Sequence, residues 1–128
     1  MTSGWSLGTK KMEIKDYKDL RIWQKGIELV NKTYSVTEKF PNSELYGLTS
    51  QMRRAAVSIP SNIAEGFVRK HTKEYSQFLS ISLGSCAELD TQVIISAERK
   101  YISKDLCSDL TNELYYEMRM ISSLLNKL

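Results

Sequence analysis

Large apolar residues recur along four stretches of the chain at alternating steps of three and four, the spacing that lines side chains up on one face of an α-helix. In the first stretch they are Leu20, Trp23, Ile27, Val30 and Tyr34, which predicts a helix over about 19–39 with Asp19 as its N-cap. The run "FPNSE" interrupts the pattern at Pro41, and a second helix is expected over 43–65 through Leu45, Leu48, Met52, Ala55, Ala56, Ile59 and Ile63, with Gly66 as its stop. A third over 72–99, capped by Thr72, carries Tyr75, Phe78, Leu79, Ser82, Cys86, Leu89, Val93 and Ala97. A fourth over 103–127 starts at Ser103, with Asp105 in its first turn, where a negative charge complements the helix dipole. Its stripe of Leu106, Leu110, Leu114, Met118, Ile121, Leu125 and Leu128 is widened by Tyr115, Tyr116 and Leu124. Four long helices joined by short connections predict an all-α, up-down-up-down four-helix bundle over residues 19–128. Residues 1–18 show no sustained period and are expected to form a flexible leader.

Two details interrupt this regularity. Pro60 sits inside the second apolar stripe, where a proline removes a backbone donor and costs about 3 kcal/mol. A helix bent around the core can retain it, with Ser58, Ser61 and Asn62 serving the freed backbone groups and with Ser50, Ala56, Val57 and Ser61 around Arg54 meeting a neighbour. In the third helix Ser76, Ser80 and Gly84 form a stripe of small residues four apart, the spacing that admits a second helix within or between subunits.

Composition adds limits more than identity. A chain of 128 residues suits one domain that folds without disulfide or metal staples. Cys86 and Cys107 lack the spacing of a zinc or redox motif, and packed antiparallel they would lie about 12 Å apart along the helix axis, so both are expected as unlinked thiols. No uninterrupted apolar run reaches the ~20 residues of a membrane span, and residues 1–19 show no secretory or transit pattern, so the expected location is cytoplasmic, without membrane contact. The net charge of +3 does not by itself point to a nucleic acid.

Catalytic chemistry finds little footing. His71 is the single histidine, so the Glu-x-x-His pairs of a di-iron bundle cannot be assembled, and it lies in the basic loop "RKHTK" with no glycine-flanked serine motif to suggest a histidine-based triad. There is no glycine-rich phosphate loop, and Glu65 and Glu88 are expected to pair with basic residues such as Arg53 or Arg54. A protein without catalytic residues, metal or cofactor is expected.

The topology, however, sorts the charges. At the end holding the termini and the second connection lie Lys10, Lys11, Lys15, Lys18, Arg21, Lys25, Arg69, Lys70, Lys73 and Lys127, ten bases against the five acids Glu13, Asp16, Asp19, Glu65 and Glu74. The opposite end is balanced slightly toward acid. With Tyr17, Phe67 and His71 nearby, the basic end is a candidate contact for phosphates and unstacked bases of RNA, centred on Lys15, Lys18, Arg21, Lys25, Arg69, Lys70, His71 and Lys73.

The blocks "YKDLRIWQKGIELV", "YGLTSQMRRAAVSIPSNIAEGF" and "EYSQFLSISLGSCAELDTQV" together resemble the bacterial four-helix-bundle proteins encoded in intervening sequences of 23S ribosomal RNA genes. The resemblance runs from Tyr17 to the C-terminus and implies a homopentameric ring associated with ribosomal RNA. It extends to accessory proteins of diversity-generating retroelements, which implies a reverse transcriptase as an alternative partner for a protein-interaction scaffold. The family motif falls on Arg53, Arg54, Pro60, Ser61, Asn62, Glu65 and Gly66, and it carries no catalytic role.

Overall fold

The computed structural model describes residues 13–128, so the leader residues 1–12, with Lys10 and Lys11, lie outside the described part. A 3-10 turn at Tyr17–Asp19 is followed by α1 (Arg21–Thr37), a second 3-10 turn at Asn42–Glu44, α2 (Leu48–Val68), α3 (Thr72–Glu98) and α4 (Lys104–Lys127). The helices pack in sequence, α1 on α2, α2 on α3 and α3 on α4, and α1 closes the bundle against α4 along its sparsest seam. The diagonal pairs, α1 with α3 and α2 with α4, stay more than 8 Å apart between Cα atoms, as in an up-down-up-down bundle. Among the described residues there is no strand.

Local chemistry moved several boundaries. Asp19 does not cap α1: Asp16 accepts from the Lys18 N–H at 2.9 Å and starts the first 3-10 turn, leaving Leu20 at the N-cap of α1. α2 starts five residues later than expected because Asn42–Glu44 closes its own turn, and Glu44 Oε1 then accepts from the Leu48 N–H at 3.1 Å. A Cβ on Gly47 would lie 2.9 Å from that same carboxylate oxygen, so a larger residue there would displace the Glu44 side chain from its cap. Leu45 is therefore in the connection and exposed, outside the α2 stripe. His71, in extended conformation, replaces Thr72 as the N-cap of α3. The Ser103 cap is present, its Oγ accepting from the Leu106 N–H at 3.0 Å.

Gly66 does not stop α2, which continues to Val68. It is buried where α2 meets α3, and a Cβ there would fall 2.7 Å from Phe78 Cβ, so the glycine sets how closely the helices approach. Gly26 does the same between α1 and α2, where an added Cβ would fall 3.1 Å from Cβ of the buried Pro60. The helix runs unbroken through Pro60. Nearby, Ser82 Oγ donates to the Ile59 carbonyl at 2.9 Å and Asn62 Nδ2 to the Ser58 carbonyl at 2.8 Å, while the Ser58 and Ser85 hydroxyls meet at 2.8 Å. Ser61 faces solvent, and Ala56 is fully buried, so Ala56 does not belong to an outer face.

The core is built from Leu29, Met52, Ile59, Ile63, Leu79, Leu89, Leu114 and Ile121, each nearly or fully buried and each contributing about 1.5–3 kcal/mol. The α1 stripe is rotated from the expected one: Ile22, Gly26, Leu29, Thr33 and Thr37 face inward, and Ile27 and Tyr34 are exposed. Gly26 faces Pro60, and the buried Thr33 and Thr37 satisfy their hydroxyls by donating to the carbonyl four residues earlier. Tyr115 and Tyr116 are exposed and do not widen the buried α4 stripe. Cys86 is buried, Cys107 half-buried, and both are free.

α3 requires a correction of another kind. By length and composition it could cross a membrane. In the bundle it packs against both α2 and α4, and it buries Ser82, Ser85, Gln92 and Ser96 together with its apolar residues.

Candidate functional site

The basic pole keeps its place but loses part of its charge. Because Tyr17–Asp19 packs on α2 as well as α1, and neighbouring helices run antiparallel, Lys15, Lys18 and Arg21 share one end of the bundle with the α2–α3 turn. That turn is made by Lys70 in the left-handed region (φ 63°), which reverses the chain and leaves Lys70, His71 and Lys73 exposed.

Two expected members are engaged elsewhere. Lys25 is mostly buried and donates to Glu113 Oε1 at 2.9 Å, with Glu28 at 3.5 Å, so it straps α1 to α4. Burial lowers its pKa, but the bond and charge of Glu113 outweigh this and leave it raised. Arg69 donates to Glu65 at 2.9 Å, lies 3.6 Å from Glu74 and covers the Phe78 ring at 4.9 Å. The expected Glu65 partner, Arg53 or Arg54, is thus replaced by Arg69. Among the described residues, Lys15, Lys18, Arg21, Lys70 and Lys73 form no ion pair.

Two aromatic rings of the pole are half-buried. Tyr17 packs in a T-shaped pair with Trp23 at 5.7 Å and carries the Lys18 ammonium over its ring at 5.7 Å, and Phe67 pairs with Tyr75 at 5.9 Å, so both half-buried rings are engaged within the chain. His71 is the exposed ring. The arrangement suits phosphate contact better than base stacking.

The motif residues divide between inside and outside. Pro60 and Gly66 are packing positions, as described above. Arg53, Arg54, Ser61, Asn62 and Glu65 line a shallow groove of about 780 Å³ along α2, with Tyr34, Leu45, Tyr46 and Val57. Within it the two arginines have different tasks. Arg53 donates from Nε to Thr37 Oγ1 at 2.9 Å and stacks over Tyr34 at 4.5 Å, joining α1 to α2. Arg54 is exposed, and Tyr46 at the lip is 93 % exposed, so the groove presents a cation and a ring to whatever lies outside. The stripe on α3 also faces out: Ser80 and Gly84 are exposed, and a Cβ on Gly84 would meet nothing within 4 Å, so these residues do not serve packing within the chain.

One residue of the core had no place among the candidates. Glu117 of α4 is fully buried, and neither carboxylate oxygen has a hydrogen-bond partner. Burial pushes its pKa up to about 8, Lys25 opposing and Glu28 adding to the shift. Its position was visible in the spacing, since 110, 114, 117 and 121 follow the steps four, three, four of the α4 stripe. Beside it, burial first and the Glu117 and Asp90 carboxyls second push the Cys86 thiol up to about 12, so this cysteine is inert as a nucleophile at neutral pH. Among the described residues no group of three or more histidine, cysteine and acidic side chains is placed to hold a metal.

Comparison with known proteins agrees with this architecture. None of the curated proteins matches the chain. A solved structure of similar fold is a protein with unknown function from the S23 ribosomal protein family of Bacteroides thetaiotaomicron, 17 % identical, covering 82 % of this chain and 95 % of that one with a TM-score of 0.76. Residues 18–123 match the family described as 23S rRNA-intervening sequence protein, a match that reaches into all four helices and includes every motif position. The chain belongs to the 23S rRNA-intervening sequence protein family.

Proposed function

We propose that the chain is a non-catalytic, cytoplasmic subunit that assembles with copies of itself and associates with RNA, ribosomal RNA being the favoured class. The observation that carries this is the convergence of five exposed cations without ion pairs, Lys15, Lys18, Arg21, Lys70 and Lys73, on one pole. Contact is through phosphates, because Tyr17 and Phe67 are held edge-on by their neighbours. A ring of such subunits, five by the resemblance, multiplies a weak contact through effective concentration. The test is RNA affinity across a salt series for the wild type and for a variant with Lys15, Lys18, Lys70 and Lys73 changed to Ala. The slope of log affinity on log salt is expected to become shallower by about 0.7 for each single-strand phosphate that the variant no longer neutralises. An unchanged slope removes RNA binding from the pole.

A second reading rests on the α2 groove, where five of the seven motif residues and two tyrosines gather. It makes the groove a protein contact, for a neighbouring subunit or for a reverse transcriptase. Val57→Glu places a charge in that groove at no cost to the core, because Val57 is 41 % exposed. Light scattering is expected to show loss of assembly with the fold intact; unaltered assembly assigns the groove to another partner.

A further inference from the structure

The seam between α1 and α4 is the loosest of the bundle, and its make-up is unusual. At its surface Glu113 of α4 receives Lys25 and Lys32 of α1 together. One helical turn further along α4, Glu117 points into the core with both oxygens unpartnered and no exposed surface. A carboxylate in that position would carry a full charge with no donor, whereas a neutral carboxyl leaves a far smaller demand unmet.

We propose that one proton on Glu117 gates the α1–α4 seam: the protonated side chain lets the seam close, and its loss opens it. The groups that face Glu117 fix the direction of the response. From α1 these are Lys25, which favours ionisation, and Glu28, which opposes it. From α3 the neighbour is Cys86, with Asp90 beyond it, and both are pushed toward their protonated forms. On α4 itself Glu113, four residues earlier, holds the Lys25 ammonium at the surface. No charged group of α2 bears on Glu117. Lys25 is therefore the one cation within reach, and it is engaged by another carboxylate. When the proton leaves, Glu117 is stabilised by drawing Lys25 inward from Glu113, which undoes the strap, or by letting water in between α1 and α4. Each route loosens the same seam. α2 and α3, which share the most extensive interface in the bundle, stay together.

Hydrogen exchange of the full chain, read by mass spectrometry at pH 6.5 and 9 and corrected for the intrinsic pH dependence of amide exchange, tests the gate. The expected result in the wild type is a loss of protection at least tenfold greater in α1 and α4 than in α2 and α3, beyond the global loss that linkage spreads over all four helices, and no such loss in Glu117→Gln, which keeps the shape and cannot ionise. A loss spread equally over all four helices, or the same loss in Glu117→Gln, overturns the proposal. Lys25→Met is the second variant, folded through the remaining Lys32–Glu113 pair if Glu117→Gln does not fold. Removing the favourable cation raises the proton affinity of Glu117, which moves the onset of opening to higher pH, and an unmoved or lowered onset also overturns the gate.

Discussion

Three glycines in helices illustrate how differently one residue type can be used. Gly66 faces Phe78 Cβ at 2.7 Å from where its own Cβ would stand, so Gly66→Ala must push α2 and α3 apart and is expected to destabilise by about 1–3 kcal/mol. Gly26 is tighter than usual against Pro60 and belongs to the same class. Gly84 meets nothing, and Gly84→Ala is expected to stabilise the protomer by roughly 0.5–1 kcal/mol through helix propensity alone. Urea unfolding of the variants checks both signs. Glu117 makes its own mark on stability. Its folded pKa of about 8 lies above the ordinary 4.5, so between those values the native state keeps a proton that the unfolded chain has released. Stability then falls as pH rises, by about 1.4 kcal/mol per pH unit from this group, with no contribution to the slope below pH 4.5 or above pH 8. Glu113 acts in the opposite sense: burial raises it, but the bonds from Lys32 and Lys25 outweigh this and lower it, so its contribution is present above pH 4.5 and lost in acid. Thermal unfolding across about pH 5–8 is expected to flatten in Glu117→Gln relative to the wild type.

Between elements, the contacts that position the helices are partly polar, and these were the least legible in the sequence. The α3 and α4 stripes were readable because Leu79, Leu89, Val93, Leu110, Leu114 and Ile121 are large and regularly spaced. The α1 stripe was not, because its inward positions include Gly26, Thr33 and Thr37, whose small or polar side chains give no apolar signal. Likewise the sign of the basic pole could be read from topology, whereas the loss of Lys25 to Glu113 and of Arg69 to Glu65 depends on side-chain geometry in the folded bundle. Arg53 and Arg54 show the same limit, adjacent in sequence and opposite in use. Arg53→Ala breaks the bond to Thr37 and the stacking on Tyr34, and is expected to cost about 1–2 kcal/mol in chemical denaturation. Arg54→Ala is expected to stay within about 0.5 kcal/mol, as an exposed position should.

On the scale of the whole molecule, two surfaces lie on different parts of one rigid frame. The cationic pole is formed where the N-terminal segment meets the α2–α3 turn, and the groove runs along the side of α2. Their separation distinguishes the two functional tests: alanines at the pole are expected to change salt dependence without altering assembly, whereas Val57→Glu is expected to abolish assembly and to weaken RNA binding only through the lost multivalency. RNA affinity unchanged in a disassembled Val57→Glu protein would show that one pole suffices without the ring.

The edge-on pairing of Tyr17 with Trp23 gives the molecule a built-in optical gauge. Trp23 is half-buried at the start of α1, two residues beyond Arg21, and its partner ring belongs to the same short segment as Lys18. The chain has one other tryptophan, Trp5, so after Trp5→Phe any change in indole emission on adding RNA originates at Trp23. Displacement of the segment would then register as a shift in colour, with no attached dye to disturb the charge it is meant to report.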